Sequence, residues 1–299
     1  MQEITKKPNT STLRPWERHL SAGQIAIWLA LTTVFLAAAY PFFYVFSLAV
    51  MPYERYVSQA FHLGPSGFTL DYFRQILGDS NLAGAFGVSV LKTLVGTTLN
   101  VLVTVAAAWA LSRPSLRFGR SLTLLFIVPL FVGGGLIPFF LVIQATGLMN
   151  SFWALILPGL VAPFNLLVAR SYFQSYPQEV IDAAVVDGAG PLTILWRIVW
   201  PTSTPIIATM AVLYGVGHWN DYFWPSILVQ PDLYPAQVVL QNMVTSRAAL
   251  DQVAAAGQQA APQSLVAAMA ALMIVPVLIV YPFVQRYIVK GIMVGSVKG

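Results

Sequence analysis

The segment from Gln24 to Val50 contains no Asp, Glu, Lys or Arg, and comparable apolar runs recur along the rest of the chain. A run of about 20 such residues crosses the roughly 30 Å hydrocarbon layer of a bilayer as a helix. Only a helix or a closed barrel satisfies every backbone N–H and C=O where no water is present. Composition points the same way: of 299 residues, 57% are hydrophobic and 9% are charged, against about 25% charged in soluble domains. Hydropathy places spans near 24–50, 84–111, 121–145, 151–170, 203–229 and 266–289, with tails at 1–23 and 290–299. The expected fold class is therefore all-α, an integral membrane protein of six transmembrane helices with no room for a large soluble domain. The first run ends too late for a removable signal peptide and lacks a small-residue cleavage site, so it reads as a retained helix.

Charge bias orients the spans. With six crossings both termini share a side, and that side collects Lys6, Lys7, Arg14, Arg18, Arg113, Arg117, Arg120, Arg170, Arg197, Arg286, Lys290 and Lys298. The opposite side holds Arg55, Arg74 and Arg247, with Lys92 inside a span. The positive-inside rule then makes both termini cytoplasmic. The same scatter of cations argues against a nucleic-acid partner despite a net charge of +5, because a binding patch needs them gathered on one face. With no cysteine and with His19, His62 and His218 far apart in the topology, neither a thiolate metal site nor a histidine-based catalytic cluster is expected. No catalytic and no metal-ligating residue is assigned.

One cytoplasmic segment, 171–202, is too polar and glycine-rich to be a span. It contains "VIDAAVVDGAG", Val180 to Gly190. Ser175 with Gln178 fits a capping box that starts a short helix, and Gly188, Gly190 and Pro191 should stop it. A second short helix is expected from Leu192 to Val199. Val180, Ala183, Ala184 and Asp187 lie three and four apart, forming a small-residue face flanked by Glu179 and Asp182. Headgroup-bound helices are usually rich in Lys and Arg. This one is acidic, so docking onto a protein is the expectation.

The pattern Asp182, Ala183, Ala184, Gly188, Ile198, Trp200, Pro201 resembles the EAA loop of permease subunits of ATP-binding-cassette importers. "WNDYFWP", Trp219 to Pro225, and "QRYIVKGIMVGSVKG", Gln285 to Gly299, are similar to the smaller six-span permease of the maltose-permease type. Asp182 stands where that family usually has Glu, and Trp200 where it has Leu or Met. The resemblance implies an ABC importer type I permease fold in a bacterial cytoplasmic (inner) membrane and import of a sugar or oligosaccharide. It also implies a second permease, two cytoplasmic ATPase subunits and an extracytoplasmic solute-binding protein as partners. ATP would be bound by the ATPase, since no G-x-x-x-x-G-K-[ST] loop is present here, and the chain itself would need no cofactor. Glu179, Asp182, Ala183, Ala184, Asp187 and Gly188 would carry the coupling to the ATPase. A permease for a non-sugar solute is the nearest alternative, and an intramembrane enzyme using Asp182 and Asp187 a more distant one.

Polar groups inside spans are costly and mark candidate pathways. Here they are Lys92, Asn100, Gln144, Asn165, His218, Asn220 and Asp221. Trp219, Asn220, Asp221 and Tyr222 combine hydrogen-bonding groups with aromatic faces and are the candidate substrate-pathway residues, although an interfacial aromatic belt would have the same composition. "GGGLIP", Gly133 to Pro138, should kink the third span. "AAAGQQAAPQS", Ala254 to Ser264, reads as the flexible tip of an external loop over 230–265 whose "LYPAQVVLQNMVTS" resembles a binding-protein contact.

Overall fold

The computed structural model describes residues 22–58, 64, 66–252 and 263–296. Most of the N-terminal tail, residues 253–262 of the Gly/Gln/Ala-rich tip and the last three residues lie outside the described residues. Every regular element among the described residues is helical. These are α1 (Ala22–Ala49), α2 (Tyr53–Ser58), α3 (Asp71–Gly78), α4 (Ser80–Ser112), α5 (Gly119–Phe131), α6 (Leu136–Ala145) and α7 (Pro163–Gln174). The rest are α8 (Gln178–Val186), α9 (Pro191–Thr202), α10 (Thr204–Asn220), α11 (Phe223–Leu228), α12 (Ala236–Gln252) and α13 (Gln263–Ser296). Among the described residues three stretches are each long and apolar enough to cross a bilayer: Gly23–Ala49, Ser80–Ser112 and Gln263–Pro282. Counting each bent helix pair as one span raises that number to five.

The centre of the bundle is α4. Its N-terminus is capped by Asp79, whose carboxylate accepts from the backbone of Asn81 at 2.8 Å and Leu82 at 3.2 Å, which places a negative charge at the positive end of the helix dipole. At 33 residues α4 is about 50 Å long and packs along α10 and α7, while α1 lies against α13 and α13 against α10. Three apolar clusters follow from these contacts. One lies at the C-terminal half of α4 with α7, α8, α9 and α10. A second joins the end of α1 to α3, α12 and α13, and a third joins α6 to α11. Most of α1, α5 and α6 presents its large apolar side chains outward, as expected of helices whose solvent is lipid.

Proline and glycine reshape the simple reading of continuous spans. The segment 121–145 is two helices, because the chain leaves the helical path at Val132 and Gly135 takes φ +79°, a conformation that favours glycine. The segment 151–170 begins as short 3₁₀ turns around Pro158 and becomes α7 at Pro163, with a 50° bend between them. The segment 203–229 breaks after Asn220 and resumes as α11 at Phe223, since Pro225 has no N–H to give the Asp221 carbonyl. The segment 230–265, expected to be a loop, holds α12, whose first amide, Ala236 N–H, donates to the buried Ser89 hydroxyl of α4 at 2.8 Å.

Two arginines counted above as topology signals also tie the base together. Arg170 donates from Nε to the Leu111 carbonyl at 2.9 Å, and Arg113 donates to the Phe173 carbonyl at 2.8 Å while lying 3.9 Å from the centre of the Trp109 ring. Each guanidinium thus caps the carbonyl end of the other's helix, where a cation also complements the dipole. Burial pushes the Arg113 guanidinium below its ordinary pKa.

Candidate functional site

The segment Gln178 to Thr202 forms a hairpin of α8 and α9 at the base. Ser175 does not make the expected capping box: its hydroxyl donates to the Tyr172 carbonyl at 2.8 Å, and α8 starts after Pro177 instead. The helix ends in a Schellman motif, with Gly188 N–H bonding the Val185 carbonyl at 3.0 Å and Ala189 N–H bonding the Ala184 carbonyl at 2.9 Å. Gly188 sits at φ +79°, where a Cβ would cost about 1–2 kcal/mol. The inner face of α8 is Ile181 and Ala184, both buried on the chain's own core. Ala184 therefore faces inward, and the exposed face is Glu179, Val180, Asp182, Ala183, Val186 and Asp187, with Gly188 also exposed. Asp182 accepts from the Gln178 amide at 2.9 Å one turn earlier.

The second helix of the hairpin runs past Trp200 and Pro201 to Thr202. A wider π turn over Ile194–Val199 precedes the proline, and the Trp200 ring lies 4.9 Å from that of Trp196. An 84° bend at Ser203 then turns the chain into α10.

Higher in the bundle, α4 and α10 meet along facing polar stripes. On α4, Lys92, Gly96, Asn100 and Thr104 recur every four residues; on α10 and its end, Tyr214, His218 and Asp221 are spaced by four and then three. Lys92 is fully buried, and its Nζ donates to Asp221 Oδ2 at 2.7 Å. Gly96 lets the His218 ring lie against the α4 backbone, so close that a Cβ at 96 would sit 2.5 Å from Nε2. His218 Nε2 is 3.4 Å from Asn100 Oδ1, and the Asn100 amide donates to the Gly159 carbonyl at 2.8 Å. The Tyr214 hydroxyl bonds Thr104 Oγ1 at 2.7 Å and accepts from the Ala162 amide at 3.0 Å. Inside hydrocarbon these contacts replace water for groups that would otherwise be stranded.

Beside the stripes lies a cavity of about 390 Å³, bounded by α4, α7, α10 and the 3₁₀ turns. Asn100, Asn165, Tyr214, His218, Asp221 and Trp224 all reach it. Of the four residues expected on the pathway, Asp221 lines this cavity. Trp219 is buried against α13, its indole N–H donating to the Met273 carbonyl at 3.0 Å. Asn220 and Tyr222 are exposed, the Asn220 amide returning to the Val216 carbonyl at 3.0 Å. Gln144 is exposed on α6. The residue missed altogether is Tyr214, and its four- and seven-residue spacing from His218 and Asp221 was the signal.

The family model described as "Binding-protein-dependent transport system inner membrane component" matches residues 100–294. Protein LplC of Bacillus subtilis is 35% identical over 87% of this chain and 89% of its own. The polygalacturonan/rhamnogalacturonan transport system permease protein YtcP, also of Bacillus subtilis, is 34% identical over 88% of this chain and 94% of its own. Among solved structures, a bacterial ABC transporter involved in the import of the acidic polysaccharide alginate matches with a TM-score of 0.79 and 28% identity, covering 88% of this chain and 95% of the other. The chain belongs to the binding-protein-dependent transport system inner membrane components, ABC importer permeases that are multi-pass transport subunits and not enzymes.

Proposed function

We propose that this chain is one of two permeases lining the translocation pathway of an ATP-driven sugar or oligosaccharide importer. The observation that carries the coupling part is α8: its inner face is buried on the chain's own core while an acid-flanked outer face stands exposed at the base of the bundle holding the polar cavity. A helix anchored in this way transmits a push from a docked partner to α9 and, through the bend at Ser203, to α10. Glu179, Asp182, Ala183, Asp187 and Gly188 would meet a cytoplasmic ATPase, which would bind the ATP, and Ala184 would hold the helix in place. The names of the relatives support a saccharide substrate, and a solute-binding protein would deliver it.

In this reading the chain crosses six times, as α1, α4, the broken pair α5 and α6, the 3₁₀ turns with α7, α10, and α13, with both termini cytoplasmic. The absence of cysteine makes single-cysteine labelling direct. Asp187→Cys should react with a membrane-impermeant maleimide only in inverted vesicles and Ser246→Cys only in intact cells. The reverse pattern would overturn the topology.

Asp182→Arg and Ala183→Arg change the exposed face without touching the buried one. Either should release the ATPase from the detergent-solubilised complex and lower ATP-driven uptake at least tenfold. Undiminished co-purification with both variants would refute the coupling role.

A further inference from the structure

We infer that this chain itself carries a binding subsite for a neutral glycosyl unit, in the cavity between α4, α7 and α10; the inference rests on the reading of the chain as a sugar-importer subunit. The volume of about 390 Å³ falls inside the roughly 300–1,000 Å³ typical of small-molecule sites. The decisive group is Asn165 on α7. The residue is 8% exposed and lines the cavity, and no described protein group hydrogen-bonds its amide. An amide that opens on a cavity with no protein partner takes its hydrogen bonds from whatever fills the cavity. Asn100, by contrast, spends its N–H on Gly159.

The remaining walls have the chemistry of saccharide recognition. Asp221 uses Oδ2 for Lys92, leaving Oδ1 free to accept from sugar hydroxyls, and His218 adds a second polar edge. Phe139 and Trp224, with ring centroids 4.2 Å apart, offer apolar surface to the C–H faces of a pyranose or furanose. Charge selects the class of sugar. Among the described residues no Lys or Arg lines the cavity, and Lys92 is fully buried behind Asp221. A uronate carboxylate entering here would meet an Asp221 carboxylate already balanced by Lys92 at 2.7 Å, and no described Lys or Arg on the wall is left to pair with the added charge. Neutral hydroxyls would instead donate to the free Oδ1 of Asp221. The acid sugars in the names of two relatives carry the charge that this lining disfavours.

The test uses the complete importer, with its second permease, ATPases and binding protein, reconstituted in proteoliposomes. The probes are tritiated maltotriose, arabinotriose and cellotriose as neutral sugars and tritiated trigalacturonate as an acidic one. ATP-driven accumulation of at least one neutral probe and not of trigalacturonate is expected. Asn165→Ala, which removes the amide, should lower that uptake at least tenfold. Gly217→Leu should do the same by filling the cavity from the opposite wall, where a Cβ meets nothing within 4 Å, so this second variant does not depend on how well α7 tolerates substitution. Parental uptake by both variants would overturn the subsite while leaving sugar import standing. Uptake of trigalacturonate alone would overturn the neutral assignment. Accumulation of none of the four would overturn the sugar reading itself.

Discussion

Asp221→Asn is expected to destabilise the folded chain by about 3–5 kcal/mol, the cost of leaving a buried charge without its partner. The two ends of the pair are unequal. The Lys92 side chain is 0% exposed and that of Asp221 is 26% exposed, so losing the carboxylate strands an ammonium in the bundle, whereas losing the ammonium leaves a carboxylate that still reaches the cavity. Lys92→Met should therefore cost less than Asp221→Asn. The double variant Lys92→Met/Asp221→Leu should recover most of the loss, because replacing both members of a buried pair by apolar groups is often neutral. Thermal unfolding in detergent, followed by retention of the monodisperse peak, measures all three. Equal stability of Asp221→Asn and the parent would show that Lys92 has another partner. The double variant also separates stability from transport, since it restores packing while removing the carboxylate from the cavity.

Gly96→Ala is expected to cost about 1–3 kcal/mol through overpacking. The added Cβ would lie 2.5 Å from His218 Nε2 and 2.7 Å from Cε1, well inside contact distance, and the ring stands beside Asn100. Either α4 and α10 separate or His218 leaves its place beside the cavity. Gly84 and Gly87 on the same helix supply the control, because a Cβ at either meets nothing within 4 Å. Alanine there should be neutral or stabilising, since glycine inside a helix costs roughly 0.5–1 kcal/mol relative to alanine. Combining Gly96→Ala with His218→Ala should recover stability by giving the new methyl the space of the ring. Equal unfolding temperatures for Gly96→Ala and Gly87→Ala would contradict the close approach of the two helices.

Much of the polar architecture was readable before any coordinates. The four-residue recurrence of Lys92, Gly96, Asn100 and Thr104 defines one face of α4, and Tyr214, His218 and Asp221 define one face near the end of α10. Lys92, Asn100, His218 and Asp221 stand out singly as polar groups within apolar spans. Their pairing does not, because the contact between Lys92 and Asp221 spans 129 positions of sequence and depends on how two helices cross. The preference for Trp219, Asn220 and Tyr222 as pathway residues rested on neighbourhood in sequence. Successive helical residues point about 100° apart, so Trp219 turns to α13 while His218 turns to the cavity.

The hairpin of α8 and α9 shows the same division. Small residues spaced three and four apart identified the helix, and the Gly188 stop followed from the need for a left-handed residue at its end. Which alanine faces the core was open: Ala183 and Ala184 are adjacent and chemically identical, and only the packing of Ile181 and Ala184 on Phe173, Ile194 and Val199 assigns Ala184 inward.

From the sequence alone came the membrane class, the all-helical architecture, the family and the polar groups that a bilayer makes expensive, because each follows from local composition, spacing or motif. Tertiary structure decided that the segments 121–145 and 203–229 are broken helices, which alanine is buried, and that a lysine and an aspartate far apart in the chain neutralise one another beside a cavity. Those outcomes depend on long-range contacts between helices, and no local pattern records the angle at which two helices cross.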